Sequence, residues 1–307
     1  MGKIAFVFPG QGAQAVGMGR DVYEAVPNSR AVFQKGDEVL GFPLSQLIFE
    51  GPDSELKQTV NTQPALLTAS VAYLEALNEK GFTADYVAGH SLGEYSALVA
   101  ADVLSYEDAV RLVRLRGQFM EEAVPGGQGA MAAVLGADRE ALGELCKKIS
   151  EESGIVELAN VNCPGQIVVS GSQAGVNAVV ERVKEAGGKR AIPLEVSGPF
   201  HSSMMKAAAE RLADELNNVT FNAPTVPVVV NVTAAPVTDP EEIRQLLVRQ
   251  VYSPVLWQDS IEWLIANGVD TIFEIGSGSV LAGLIRKIDK TVKVININSL
   301  ESVQTVL

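Results

Sequence analysis

The chain has 307 residues, of which 47% are hydrophobic and 20% charged. A folded chain of this size buries roughly 75% of the surface its unfolded form exposes, which allows a sizeable core and about two domains or subdomains, and the composition suits a compact α/β protein better than a disordered one. The formal net charge of -13 argues against general nucleic-acid binding and against docking on an anionic membrane, both of which need a basic surface.

Residues 3–8 form an apolar, β-rich run ended by Pro9-Gly10, which predicts a buried strand and a turn. Residues 21–40 and 64–80 read as helices, the second stopped by Gly81. A short strand over 85–88 leads to an Ala- and Leu-rich helix over 92–101. An amphipathic helix over 107–123 closes at Pro125-Gly126-Gly127. The order then changes. Strands are predicted over 129–135, 156–162, 166–171 and 189–194, with helices over 138–153 and 175–186. That is β-α-β-β-α-β, the ferredoxin-like order. Beyond Gly198 come a helix (204–217), a strand (226–232), helices (241–251 and 258–267), a strand (271–275), a helix (280–288) and a last strand (292–296). Strands alternating with helices imply a mostly parallel sheet covered on both faces, hence an α/β fold. The expected division is a larger unit of residues 1–127 and 198–307, interrupted by a ferredoxin-like unit of 128–197.

No signal peptide, myristoylation pattern or membrane span is legible. The apolar stretch after Met1-Gly2-Lys3 is short, and the apolar run 64–77 contains Glu75. Cys146 and Cys163 lack metal-type spacing and read as free thiols in a reducing cytoplasm.

Gly89-His90-Ser91-Leu92-Gly93 fits G-x-S-x-G, between a predicted strand and a predicted helix. That context is a nucleophile elbow, in which the glycines allow a sharp turn and the serine hydroxyl projects at the carboxyl end of the sheet. The following amide, of Leu92, then points at a developing oxyanion. An activated serine needs a base, and the chain has two histidines. His90 adjoins the serine, and its side chain is expected to leave the other face of the strand, as a satisfied core histidine or as one that supports the site from behind the serine. By elimination His201, on a loop before a helix, is expected to be the general base. Gly10-Gln11-Gly12 also fits a dinucleotide fingerprint, but Asp37 and Glu38 fall in predicted helix instead of ending a second strand. The preferred reading is a glycine-rich loop whose Gln11 N–H supplies a second oxyanion donor. Arg114 and Arg116 do not share a helix face, so one can point inward while the other meets solvent; exposure is the default for either.

Together these segments resemble the malonyl-CoA:acyl carrier protein transacylases. The matching motifs are Phe8-Pro9-Gly10-Gln11-Gly12, Thr62-Gln63-Pro64-Ala65, Gly89 to Tyr95, Arg116-Gly117, Gly198-Pro199-Phe200-His201 and Arg249-Gln250-Val251. The resemblance implies an α/β-hydrolase-like larger subdomain and a ferredoxin-like smaller one, with Ser91 as nucleophile and His201 as base. It implies that Gln250 replaces a hydrolase's acidic third member and orients His201 through its backbone carbonyl. Gln11 and Leu92 would form the oxyanion hole, and Arg116 would hold the malonyl carboxylate. Asn160 and Asn162 would line the cleft, and Phe200 would mark the malonyl-type form of its motif. No metal or redox cofactor is implied. The expected partners are malonyl-CoA and an acyl carrier protein, with no nucleic acid and no membrane, for a cytoplasmic monomer. The family's Gly-Pro-Gly-Lys type turn reads Gly276-Ser277-Gly278-Ser279 here. Lys189, Arg190, Arg286, Lys287 and Lys290 are candidates for a basic carrier-protein patch. Two rivals differ in kind. A serine hydrolase would place a carboxylate behind His201, and a dinucleotide-binding scaffold would bind NAD.

Overall fold

Alternation along the first strand organises the larger layer. β1 (Lys3–Phe8) sends Phe6 and Phe8 into a core shared with Leu66, Tyr95 and Val113, and Ala5 and Val7 into a second core with Trp257, Ile261 and Leu281. A strand buried on both faces lies between helical layers, as a parallel sheet requires. The computed structural model describes residues 2–306.

Helices α1 (Arg20–Ala25), α2 (Pro27–Leu40), α3 (Leu44–Glu50), α4 (Asp53–Leu56) and α5 (Thr59–Asn78) follow β1. Next come β2 (Tyr86–Gly89), α6 (Gly93–Ala100) and α7 (Tyr106–Glu122). The second sheet uses β3 (Gly129–Leu135), β4 (Val156–Cys163), β5 (Gln166–Ser172) and β6 (Arg190–Pro193), with α8 (Arg139–Glu152) and α9 (Gln173–Arg182). The chain then forms α10 (Lys206–Leu216), β7 (Val228–Val229), β8 (Pro236–Val237), α11 (Pro240–Gln250) and α12 (Trp257–Ala266). It ends with β9 (Val269–Ile275), α13 (Val280–Ile288), β10 (Lys293–Ile297) and α14 (Leu300–Thr305).

The first sheet has the order β10-β9-β1-β2-β7-β8, parallel except at the β7–β8 edge. The second has the order β4-β5-β3-β6 and is antiparallel throughout, the ferredoxin-like arrangement. Ala132 and Val134 of β3 face the core under α8 and α9, while Met131 and Ala133 face a cavity between the two sheets. The Val161 N–H and Ala159 carbonyl of β4 bond to Val255 of the larger layer at 2.9 and 2.8 Å, tying the two units together.

Several boundaries differ from those read in the sequence. The helix expected over 21–40 is broken at Val26, which is extended (φ -116°, ψ 114°) because Pro27 disfavours the helical region for its predecessor. The helix expected from Pro64 starts at Thr59, with Pro64 inside it. A proline there cannot donate to the Val60 carbonyl, and Arg114 Nη1 takes that place at 3.4 Å. The strand expected over 226–232 shrinks to Val228–Val229, and α3, α4, β8 and α14 were not anticipated. Among the described residues no helix is long and apolar enough to cross a membrane.

Candidate active site

The carboxyl ends of β1, β2 and β7 meet at one edge of the sheet, where α/β sheets bind ligands. β2 ends at Gly89 and α6 begins at Gly93, so the chain reverses within a few residues. A Cβ on Gly89 would collide with the Gly93 backbone, and one on Gly93 with the Phe8 carbonyl, so only glycine fits either position. Ser91 at the apex has φ 52°. A left-handed residue other than glycine costs about 1–3 kcal/mol and persists only where its surroundings hold it. His201 is held similarly, at φ 58°.

These two residues meet. Ser91 Oγ lies 2.7 Å from His201 Nε2, and His201 Nδ1 donates to the Gln250 carbonyl at 2.8 Å. The carbonyl fixes the tautomer, with the proton on Nδ1 and a lone pair on Nε2. Burial, reinforced by the Arg116 charge, pushes the His201 imidazole down to about 3, so it stands neutral at pH 7. No carboxylate bonds to His201 among the described residues; a backbone oxygen occupies the position that an acid takes in a hydrolase triad.

The Ser91 carbonyl accepts from the Glu94 N–H and from Gln250 Nε2, each at 3.0 Å. A trans peptide is planar, so the Leu92 N–H points away from that pair of donors. Neither the Leu92 nor the Gln11 N–H donates to a protein acceptor among the described residues, and both residues line the cavity. Gln11 is held from its side chain, which donates to Thr59 Oγ1 at 3.1 Å.

Arg116 is 1% exposed, so the default of a solvated helical arginine does not apply. Its Nη1 donates to Gln63 Oε1 at 2.7 Å, and its Nη2 to Gln250 Oε1 at 2.9 Å and Ser91 Oγ at 3.3 Å. All these partners are uncharged, and Nε has no partner. The buried Glu94 carboxyl acts on this charge without bonding to it, and a buried guanidinium with no carboxylate bonded to it among the described residues is poised for an anion. Arg114 is the partly solvated one, stacked 4.3 Å from the Phe42 ring centroid.

The cavity has a volume of about 260 Å³. Ser91, His201, Arg116, Asn160, Asn162 and Phe200 all line it, while Gln250 stands behind His201. Of the two forms expected for His90, the structure has the supporting one and not the core one: it borders the same cavity beside Ser91, and its Nε2 reaches Asn162 Oδ1 at 2.8 Å. The loop after β1 runs to Arg20 without opening a helix, and Asp37 lies inside α2, where its carboxylate accepts from Ser45. A dinucleotide fingerprint therefore lacks both its helix and its acidic strand end. Among the described residues no group of three or more His, Cys, Asp and Glu is placed to hold a metal ion.

The family model of the acyl transferase domain matches residues 5–306. The malonyl CoA-acyl carrier protein transacylase of Bacillus subtilis (strain 168) is 54% identical over 304 residues, covering 99% of this chain and 96% of that protein. The chain belongs to the malonyl-CoA:acyl carrier protein transacylase family. The solved acyl carrier protein S-malonyltransferase from Vibrio cholerae O1 biovar eltor str. N16961 superposes with a TM-score of 0.97 at 45% identity, covering 99% of this chain and 100% of that one. A second structure, a type II PKS acyl-carrier protein in complex with its malonyl-transacylase, has a TM-score of 0.95 at 44% identity, covering 99% and 98%. The α/β architecture with a separate antiparallel sheet is the one these relatives share.

Three contributors to the site carried no role in the sequence reading. Gln63 belongs to a quoted motif, yet its contact with Arg116 joins α5 to α7 and cannot be read from spacing. Glu94 and Asn231 are both fully buried polar residues at the elbow. The available signal for Asn231 was a lone polar residue directly after Val228-Val229-Val230, at the carboxyl end of a strand.

Proposed function

We propose that this chain transfers the malonyl group of malonyl-CoA to the phosphopantetheine thiol of an acyl carrier protein, through a malonyl ester on Ser91. The observation that carries this reading is the buried Arg116, whose Nη2 is 3.3 Å from Ser91 Oγ and whose partners are all neutral. A malonyl group differs from an acetyl group by one carboxylate, and a guanidinium offers a planar fork for both of its oxygens.

In the first half-reaction His201 Nε2 takes the Ser91 proton, and Oγ bonds to the thioester carbonyl carbon. The Gln11 and Leu92 N–H groups receive the oxyanion, and one such donor can be worth about 10²–10³ in rate. The C–S bond then breaks, and His201 returns the proton to the departing CoA sulfur. In the second half-reaction the carrier thiol gives its proton to His201 and its sulfur attacks the ester carbonyl. Ser91 leaves and recovers the proton. The chain's own residues carry every step, and the product supplies chain extension in fatty acid synthesis. Among the described residues a backbone carbonyl and no carboxylate stands behind His201, which favours this reading over a hydrolase. The solved relative held by an acyl-carrier protein supports the choice of acceptor. Lys287, one of the candidates for the carrier-protein patch, has its Nζ 3.5 Å from Gln166 Oε1 at the cavity wall, where it adds positive charge for the carrier to meet.

Transfer from a panel of acyl-CoAs to purified carrier protein tests the reading. Malonyl-CoA is expected to give the highest kcat/KM, with malonyl-carrier protein as product. Release of free malonate at the same rate with and without carrier would make the enzyme a hydrolase.

A further inference from the structure

Ser91 can keep its left-handed backbone only where neighbouring groups over-determine it. The residue that grips it is Asn231, fully buried just beyond β7 and not among the residues lining the cavity. Asn231 Oδ1 accepts from the Ser91 N–H at 2.8 Å, and its Nδ2 donates to the Gly89 carbonyl at 2.6 Å. One planar carboxamide thus bridges the two sides of the turn, with His90 between them. Asn231 is itself fixed on both sides. Its N–H donates to Glu94 Oε2 at 2.8 Å, and its carbonyl accepts from the Leu256 N–H at 3.0 Å. The Gln250 amide completes the arrangement, donating to Asn231 Oδ1 at 3.2 Å and to the Ser91 carbonyl at 3.0 Å.

We infer that Asn231 is a positioning residue for acylation: its carboxamide clamps Gly89 and Ser91 so that Oγ stays within reach of His201 Nε2 and the Ser91–Leu92 peptide keeps its orientation. The inference rests on Ser91 being the nucleophile. Glu94 is the lock behind the clamp. Burial pushes its carboxyl up to about 7, and the Asn231 N–H needs only an acceptor there, whichever form is present. The amide oxygen of a glutamine can supply that acceptor.

The test is the single-turnover rate of Ser91 acylation by malonyl-CoA, expressed per site that becomes acylated after long incubation. This normalisation removes any unfolded fraction. Asn231→Ala is expected to lower that rate by about 10²-fold, the scale of an ångström-sized misplacement. In a Ser91→Ala background the same substitution is expected to leave the Kd of malonyl-CoA unchanged, because Asn231 does not line the cavity. Asn231→Asp matches the size, keeps the acceptor for Ser91 and loses the donor to Gly89; it is expected to lose about tenfold or more, and it decides the matter if the alanine variant does not fold. Glu94→Ala, which removes the acceptor for the Asn231 N–H, is expected to lower the rate further than Glu94→Gln, which retains an acceptor. A rate per acylatable site within about tenfold of wild type in Asn231→Ala, or in Asn231→Asp where only that variant folds, would overturn the clamp. A wild type that takes no malonyl group would overturn the nucleophile assignment itself, and the clamp with it.

Discussion

His201→Ala is expected to slow acylation of Ser91 by about 10³–10⁴-fold, the upper range for losing a positioned general base. Of the two side-chain nitrogens beside Ser91 Oγ, Arg116 Nη2 at 3.3 Å can only donate, while His201 Nε2 at 2.7 Å can accept the proton, because the Gln250 carbonyl at Nδ1 leaves its lone pair free. A charged imidazole would be useless there, and burial together with Arg116 keeps it neutral. His90→Ala is the control. His90 bonds to Asn162 and lies edge-on to Trp257, with ring centroids 5.6 Å apart, so it braces the elbow against the second sheet. Losing that hydrogen bond costs about 1 kcal/mol, a factor of roughly five, mainly in stability. Rapid-quench acylation rates and thermal melts of both variants make the comparison. Equal catalytic losses with unchanged melting would show that the base is wrongly assigned.

Arg116→Ala is expected to lower kcat/KM for malonyl-CoA by about 2–5 kcal/mol, or roughly 30- to several-thousand-fold, as for other desolvated charge pairs. Acetyl-CoA is expected to gain relative to malonyl-CoA, because no buried cation then remains to demand an anion. Arg116→Lys, with a point charge in place of a fork, is expected to fall between. The pH profile offers a second reading of the same charge. Arg116 contributes to holding the His201 imidazole below its ordinary range. Removing a positive neighbour raises the pKa of a histidine, so the base is protonated at higher pH. The acid limb of kcat/KM for acetyl-CoA is therefore expected to move upward in Arg116→Ala. An unchanged malonyl-to-acetyl ratio would refute the carboxylate role and leave the Ser91 chemistry standing.

The parts of this molecule that follow local rules were legible. Residues 3–8 form the buried strand, and the strand–elbow–helix context placed Ser91 at the sheet's carboxyl edge, as found. The ferredoxin-like order of strands and helices appeared as expected in β3 to β6. Where the structure departs from the sequence expectation, a competing local signal or a contact distant in sequence decides. Pro27 was a visible reason to break the helix at Val26. Pro64 pointed to a helix start, yet α5 accommodates it because Arg114, from a different helix, satisfies the freed Val60 carbonyl. The inward turn of Arg116 was equally non-local. Spacing separated its face from that of Arg114 but could not say which one faced the cavity, and only the family resemblance chose. Asn231 is the extreme case. Its side-chain partners Gly89 and Ser91 lie 142 and 140 positions away, so no window along the chain contains the contact.

Intact-protein mass spectrometry after incubation with malonyl-CoA, in the absence of any carrier protein, tests the account most directly. An ester on a hydroxyl held 2.7 Å from a neutral histidine, beside an arginine bonded only to neutral groups, is the species from which every later step departs. The wild type is expected to gain a single malonyl mass, mapped by fragmentation to the peptide containing Ser91, and to lose it when acyl carrier protein is added. Ser91→Ala is expected to gain none. A malonyl adduct on folded Ser91→Ala, or none on the wild type, would contradict the account.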